Sequence, residues 1–330
     1  MMMKIILAPM EGLTDVYMRD ILTAIASGHG YDWCVTEFIR ITQHLLPSKI
    51  FYQYCPELLH NSQTAAGTPV HIQLLGSDPQ LLAENAQFAV ELGAPAIDLN
   101  FGCPAKSVNQ HRGGAVLLQE PETLHQIVVA VRKAVPRHIP VSAKMRLGYN
   151  DRSLMLDNAS AIESAGASWL TVHARTKADG YRPPAHWHEL ANIRQTVSLP
   201  VIANGDVDSL SSLAACVQQS QCQDVMIGRG AVSRPDLVGM IKNRQAELTW
   251  PQLVQWQLKF LENMHQAVVN PVVNEAYVKS TEKGALGRYK QWLAMLSQAW
   301  PQAQFLFEKV KRESSYPVIV SLLIESTQLV

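Results

Sequence analysis

The chain has 330 residues, 28 Lys and Arg against 28 Asp and Glu, and 47% apolar residues. That length suits two domains, or one large domain with an appendage, with ample material for a core. Zero net charge excludes a polybasic tail or a uniformly basic nucleic-acid binder, and leaves room only for a local basic patch.

The N-terminal apolar run is short and ends at Pro9, Glu11 and Gly12 without a small-residue cleavage site. It reads as a first strand and not as a signal peptide. No run approaches the roughly 18 apolar residues of a membrane span. The cysteines Cys34, Cys55, Cys103, Cys216 and Cys222 are odd in number and lack CxxC spacing. A reduced, cytoplasmic protein without disulfides or a metal site is therefore expected.

In chain order, strands are predicted over Lys4–Met10, Trp33–Ile39, Val70–Leu75, Ala96–Phe101, Val141–Leu147, Trp169–Ala174, Val201–Ala203 and Val225–Ile227. Helical patterns lie between most of them: Pro79–Leu92, Pro121–Ala134, Ser153–Ala165, Ala185–Gln195, Ser209–Gln219 and Pro235–Arg244. Alternating strands and helices imply a parallel sheet. Eight such units in about 240 residues match a closed (β/α)8 TIM barrel. An open doubly wound sheet would carry GxGxxG after its first strand, where this chain has Ala8-Pro9-Met10-Glu11-Gly12. The irregular stretch from Tyr52 to Thr68 reads as an excursion from the barrel.

Past Leu248 the strand-like runs stop. Leu253–Gln266, Val272–Lys283, Arg288–Trp300, Gln302–Arg312 and Val318–Ser326 read as amphipathic helices. The expected organisation is a barrel over 1–247 and a helical-bundle domain over 248–330. The second part carries Lys279, Lys283, Arg288, Lys290, Lys309, Lys311 and Arg312, charges that on their own suit solvated helix faces equally well.

Catalytic groups of such barrels sit at the C-terminal ends of the strands. Here those ends are polar throughout: Pro9-Met10-Glu11, Glu37 to Arg40, Gln73, Asn100 to Pro104, Lys144 and Arg146, His173 and Arg175, Asn204-Gly205-Asp206, and Gly228-Arg229-Gly230. The glycines on the last two strand ends let the backbone approach a phosphate, and Arg229 can add a charge. Lys144 lies on an apolar strand, so it needs an anionic partner or must shed its proton. It could form a Schiff base or hold negative charge on a reduced flavin ring, and residue type does not choose. Cys103 lies between Gly102 and Pro104 on a glycine-bearing loop, a setting that sets it apart from the other four cysteines.

Ala8-Pro9-Met10-Glu11-Gly12, Asn100-x-Gly102-Cys103-Pro104, Lys144-Met145-Arg146, His173-Ala174-Arg175-Thr176, Asn204-Gly205-Asp206 and Gly228-Arg229-Gly230-Ala231 occur in this order. The set resembles the tRNA-dihydrouridine synthases over essentially the whole chain. The stretch 35–40, Gly180-Tyr181 and Tyr289-Lys290-Gln291-Trp292-Leu293 are similar to the bacterial C-type subfamily.

The resemblance implies NADPH as reductant, bound FMN as the hydride donor to C6 of a uracil, and reduction of a D-loop uridine at position 16. It makes Cys103 the acid that protonates C5. It places Pro9, Met10 and Glu11 on the flavin ring, with Gln73, Lys144 and His173 beside it. It gives the phosphate and ribityl chain to Asn204, Gly205, Asp206, Gly228 and Arg229. The Schiff-base use of Lys144 then recedes. A target base must be turned out of folded RNA. Asn100, Arg146 and Tyr181 are the implied contacts to it, and Arg40, Lys290 and Lys311 the implied grips on tRNA, with 248–330 as the RNA-binding part. A monomer is expected. Phe101 and Asn109-Gln110-His111-Arg112 depart from related C-type loops, beside the catalytic cysteine. Two rival readings are a barrel flavoenzyme acting on a small pyrimidine, and an RNA-binding protein without flavin.

Overall fold

A computed structural model describes residues 3–27, 29–269 and 281–328. The chain builds β1 (Ile5–Leu7), α1 (Val16–Ile25), β2 (Trp33–Val35), β3 (Ile39–Arg40) and α2 (Ser48–Tyr54). Next come β4 (Val70–Leu75), α3 (Pro79–Glu91), β5 (Ile97–Phe101), α4 (Lys106–Asn109), α5 (Pro121–Ala134), β6 (Val141–Arg146), α6 (Met155–Ser164) and β7 (Leu170–His173). After these follow α7 (His188–Thr196), β8 (Val201–Asn204), α8 (Leu210–Ser220), β9 (Asp224–Ile227), α9 (Arg229–Ser233) and α10 (Leu237–Asn243). Four longer helices end the chain: α11 (Trp250–Val269), α12 (Glu282–Leu296), α13 (Pro301–Val310) and α14 (Tyr316–Glu325).

All the paired strands are parallel. The sheet closes because Leu7 on β1 lies opposite Cys34 on one side and Ile227 on the other. Strands β2 and β3 both pair with β4, Cys34 opposite Val70 and Ile39 opposite Leu74. They are two pieces of one stave, so the fold is the expected (β/α)8 barrel. The continuous strand expected over Trp33–Ile39 is interrupted because the Thr36 hydroxyl accepts the Gln73 N–H at 3.0 Å. The break brings Glu37 to the rim, where its carboxylate accepts the Gly12 N–H.

Local chemistry starts the helices. Asp78 accepts the Leu81 N–H at 2.9 Å ahead of Pro79, a capped start with proline in the first turn. Helix α1 was not expected from the sequence, which has the poor helix formers Val16, Ile21, Thr23 and Ile25. Asp15 caps it through the Met18 N–H at 3.0 Å, and buried Met18, Ile21 and Leu22 hold it, so packing overrides propensity. The excursion after β3 contains α2 and a short 3-10 turn at Pro56–His60.

The helix expected over Val272–Lys283 falls mostly on residues 270–280, outside the described residues. Its last two residues open α12, which runs without a break through Gly284 and Gly287 where two separate helices were expected. Thr281 caps it by accepting the Gly284 N–H at 3.1 Å. Buried Ala285, Leu286, Tyr289, Trp292, Leu293 and Leu296 form one stripe that carries the helix across both glycines.

The terminal helices share the core that lies between the barrel sheet and its outer helices. The Trp292 and Trp300 indole N–H groups donate to the carbonyls of Val232 and Ser233, both at 3.1 Å. Arg288 reaches back to the first strand–helix loop, donating to Asp15 at 2.9 Å and to the carbonyls of Gly12 and Leu13 at 2.7 Å each. Among the described residues no helix is long and apolar enough to cross a membrane.

Candidate active site

Alternation along each strand sends every second side chain into the barrel. Inside, Ile6, Ala8, Val35, Ile202 and Met226 make an apolar half on β1, β2, β8 and β9. The facing half is polar, with Gln73 on β4, Asp98 and Asn100 on β5, Ser142 and Lys144 on β6, and Thr171 and His173 on β7. At the N-terminal end Trp33 stacks on His71 with ring centroids 5.2 Å apart, and Trp169 leans on both.

A cavity of about 810 Å³ opens at the C-terminal ends of the strands. All eleven cofactor positions read from the sequence line it, as do Cys103, Asn100, Arg146 and Tyr181. Arg40, Lys290 and Lys311 do not line it. Gln291 within α12 and Gln298 just past its end do, so the chain's own helical part completes the wall.

Cys103 is 9% exposed, and burial holds its thiol above the ordinary range. Its loop is tethered on both sides. The N–H groups of Gly102 and Cys103 donate to the Asn100 side chain at 2.9 and 3.0 Å. The Cys103 carbonyl accepts from the Asn109 amide at 2.9 Å. Gly114, at φ +66°, packs so closely that an added Cβ would sit 2.8 Å from the Cys103 carbonyl oxygen.

Lys144 faces the cavity with its ammonium lowered to about 8, by burial first and then by neighbouring Arg146, against the pull of Asp98. Burial, Arg146 and Lys144 push His173 well below its ordinary range, so it stands as a neutral imidazole. Arg146 donates to the carbonyls of Gly102 at 2.9 Å, Thr176 at 3.1 Å and Gly180 at 3.0 Å. Its guanidinium also lies 5.2 Å from the Tyr181 ring, which Arg229 approaches to 4.9 Å. Tyr181 itself is 54% exposed.

The β8 and β9 ends are built from backbone. Asp206 sits at φ +54° and binds Arg175 through both carboxylate oxygens and Arg229 at 3.5 Å. A Cβ on Gly205 would meet His173 at 3.0 Å, and one on Gly228 would meet the Met10 sulfur at 3.2 Å. Only glycine leaves that floor open. Lys144, Arg146 and Arg229 line the cavity with Arg175 behind Asp206, and the carboxylates that line it are Glu11, Asp206 and Asp208. The arrangement fits a flat ring above the polar half, with an anionic tail over Gly205 and Gly228.

Two groups escaped the sequence reading. Arg175 stands at a strand end but was given no role, and it is fully buried against Asp206. Asp98 was passed over, although its place two residues before Asn100 on an inward-facing phase is a usable signal. Among the described residues no group of three His, Cys, Asp or Glu side chains is placed to hold a metal.

A family model described as dihydrouridine synthase matches residues 6–316. The chain is 48% identical over 331 residues to a protein of Pseudomonas syringae pv. tomato named tRNA-dihydrouridine(16) synthase, covering 99% of this chain and 100% of that relative. A protein of the same name from Aquipseudomonas alcaligenes is 50% identical over 326 residues, covering 97% and 99%. Among solved structures, a 2-naphthoyl-CoA reductase in complex with 2-naphthoyl-CoA superposes with a TM-score of 0.56 at 12% identity. That match covers 73% of this chain and 50% of the reductase, and it speaks for the fold alone.

Proposed function

The chain belongs to the dihydrouridine synthase family, and we propose that it reduces the C5=C6 bond of uridine 16 in the tRNA D-loop, with FMN as its flavin and NADPH as reductant. The observation that carries the reading is the convergence of a protonated thiol, a lysine and a glycine-floored cationic cradle on one cavity. Relatives at 48% and 50% identity bear the name of the position-16 enzyme, which supports the choice of uridine.

A bound flavin, reduced by a nicotinamide nucleotide, supplies the hydride that uracil receives at C6. The protein's own groups do the rest. Pro9, Met10 and Glu11 on the first loop, with Gln73 and His173, would hold the ring. Lys144 would place its positive charge beside the ring's electron-rich edge. Gly205 and Gly228 offer backbone to the phosphate, and Arg229, oriented by Asp206, offers charge. Asn204 is fixed at the same end by donating to the Met226 carbonyl at 2.8 Å.

Cys103 gives the Sγ proton to C5. Burial suits that task, because a thiol held above its ordinary pKa still carries its proton at neutral pH. Asn100 faces the same space but spends its amide on Gln73 and the cysteine loop, so its role toward uracil is mainly to fix that loop. Arg146 likewise supports Tyr181, whose exposed ring offers a stacking face to an extruded base. Arg40, Lys290 and Lys311 on the rim would meet tRNA phosphates, and residues 248–330 form the RNA-binding part. Because that part completes the cavity from the same chain, we propose a monomer acting in the cytoplasm, where its substrate is found.

The test is dihydrouridine mapping in tRNA from a strain lacking the gene, with uridine expected at position 16 alone. In the purified protein, yellow colour reports flavin. Cys103→Ala should keep flavin and NADPH oxidation and slow uridine reduction by about 10²–10⁴-fold, the range of a lost general acid. Unchanged single-turnover reduction in that variant would remove Cys103 from the role. Reduction of free uridine as fast as tRNA would favour a small-pyrimidine enzyme.

A further inference from the structure

Asp98 is 2% exposed and does not line the cavity, yet it anchors a chain of hydrogen bonds that ends on the cysteine loop. Its carboxylate accepts from the Gln73 amide N–H at 2.6 Å and from the Ser142 hydroxyl at 2.6 Å. The Gln73 oxygen accepts from the Asn100 amide at 2.8 Å. The Asn100 oxygen accepts the two backbone N–H groups of Gly102 and Cys103.

A primary amide donates at one end and accepts at the other. The carboxylate at the start of the chain accepts, and the two backbone groups at its end can only donate. Between them Gln73 and Asn100 have one orientation that satisfies every atom. Turning either amide sets N–H against N–H at the loop or oxygen against oxygen at Asp98. In a buried setting such a mismatch costs far more than the net worth of one bond.

We propose that Asp98 is a positioning residue that fixes the amide orientation of Gln73 and Asn100 and so holds the Cys103 loop in register over the reacting base. This inference deepens the function proposed above and rests on it for the identity of the base. The polarity needs an acceptor at position 98 and not a charge. In Asp98→Asn the new oxygen still accepts from Gln73. Its N–H₂ donates to Ser142, whose hydroxyl has the Ile97 carbonyl 3.4 Å away as an outlet. Asp98→Leu removes the acceptor at similar size and lets Gln73 turn.

The experiment pairs two readouts on the full-length protein. The first is alkylation of Cys103 by iodoacetamide, followed by peptide mapping. Cys34, wholly buried, serves as the control for general unfolding. Asp98→Leu should raise Cys103 labelling by about tenfold, as expected for local opening of the loop, with Cys34 still protected. The second is single-turnover uridine reduction, which should fall by about 100-fold, the cost of a misplaced reacting group. NADPH oxidation without tRNA should fall far less. Asp98→Asn should stay within about threefold of wild type in both readouts and in NADPH oxidation.

Wild-type labelling and turnover in Asp98→Leu would overturn the proposal. So would an Asp98→Asn variant as impaired as Asp98→Leu, because charge would then be what matters. If Asp98→Leu exposes Cys34 as well, Asp98→Ser, too short to reach Gln73, must still raise Cys103 labelling, and its failure to do so overturns the proposal equally. Alkylation needs neither tRNA nor flavin. A wild-type protein that reduces no uridine would sink the proposed function and leave the labelling to judge the relay.

Discussion

Arg146, Arg175 and Arg288 each place three or more hydrogen bonds on the protein's own carbonyls, carboxylates and side chains. Among the described residues Arg40, Lys290 and Lys311 have one apiece: a 3.4 Å contact to the Ser107 carbonyl, a bond to the Glu313 carbonyl and a pair with Glu308. Arg146 lines the cavity, Arg175 is buried against Asp206, which lines it, and Arg288 ties α12 to the first loop, whereas the second set, proposed above as rim cations, lines none of it. A guanidinium has five donors in a fixed fork. When the protein has filled three of them, the side chain works as a strut and has little left for a phosphate. The rim cations retain most of their hydrogen-bonding capacity. The contrast separates two kinds of cation, struts that hold the protein's own backbone and carboxylates, and side chains that keep donors for a partner such as the proposed tRNA.

The largest effect should come from removing a strut. Arg175→Met would remove the bidentate partner of Asp206 and leave it the 3.5 Å pair with Arg229 and the Ala185 N–H at 3.1 Å. Breaking a buried pair costs about 3–5 kcal/mol, and the lower end applies because the Asp206 side chain keeps 24% exposure. Urea unfolding and flavin content should both fall. A flavin-loaded variant of wild-type stability would erase the distinction between the two sets.

The rim comes next. Arg40→Ala and Lys290→Ala should weaken tRNA binding by about 1.5–3 kcal/mol each, the worth of a hydrogen bond to a charged group. The salt dependence should lose about one unit of slope per contact. Flavin content should not change. Binding isotherms across a salt series decide this, and wild-type slopes in both variants would mean the helical part grips RNA elsewhere.

Acid sharpens the comparison from the uncharged side. His71 is held down to about 3 by burial, far below the ordinary value near 6.5. Its neutral form therefore contributes stability that is complete above about pH 6.5 and is lost as pH falls toward 3. At pH 5 the loss is about 1–2 kcal/mol. His71→Phe should flatten the stability profile between pH 6.5 and 4. An unchanged slope would mean that His71 does not set the acid limit.

The smallest effect should belong to Lys311, exposed and already paired with Glu308. Lys311→Ala should cost about 1 kcal/mol or less in tRNA affinity, as for a screened surface charge. A loss as large as that of Lys290→Ala would place Lys311 among the principal contacts.

Much of the site was legible because barrel topology turns strand ends into a list. Every position that the resemblance gave to the cofactor lies at or near such an end and lines the cavity. What a cation does there was not legible. Arg175 and Arg40 both follow apolar runs, and only the partners brought by the fold, the Asp206 carboxylate for one and a single long contact to the Ser107 carbonyl for the other, separate them. Asp98 was missed for the same reason, since its meaning comes from Gln73 on another strand. In the fold, the split between β2 and β3 rests on a hydroxyl taking the place of a ladder bond, which no periodicity records. Helix α1 was hidden by its β-branched residues, and the glycines of α12 suggested a break that buried aromatic packing overrides.

The Arg288 strut also sets a schedule. The loop from Met10 to Asp15 is the first part of the site to be synthesised, yet Gly12 waits 276 residues for the guanidinium that holds its carbonyl. At about 5–20 residues per second, the ribosome leaves that loop without its strut for about 15–55 s. Strand β1 likewise waits for β9 before the barrel can close. The cavity and its first loop are thus complete only after the whole barrel and α12 have been made.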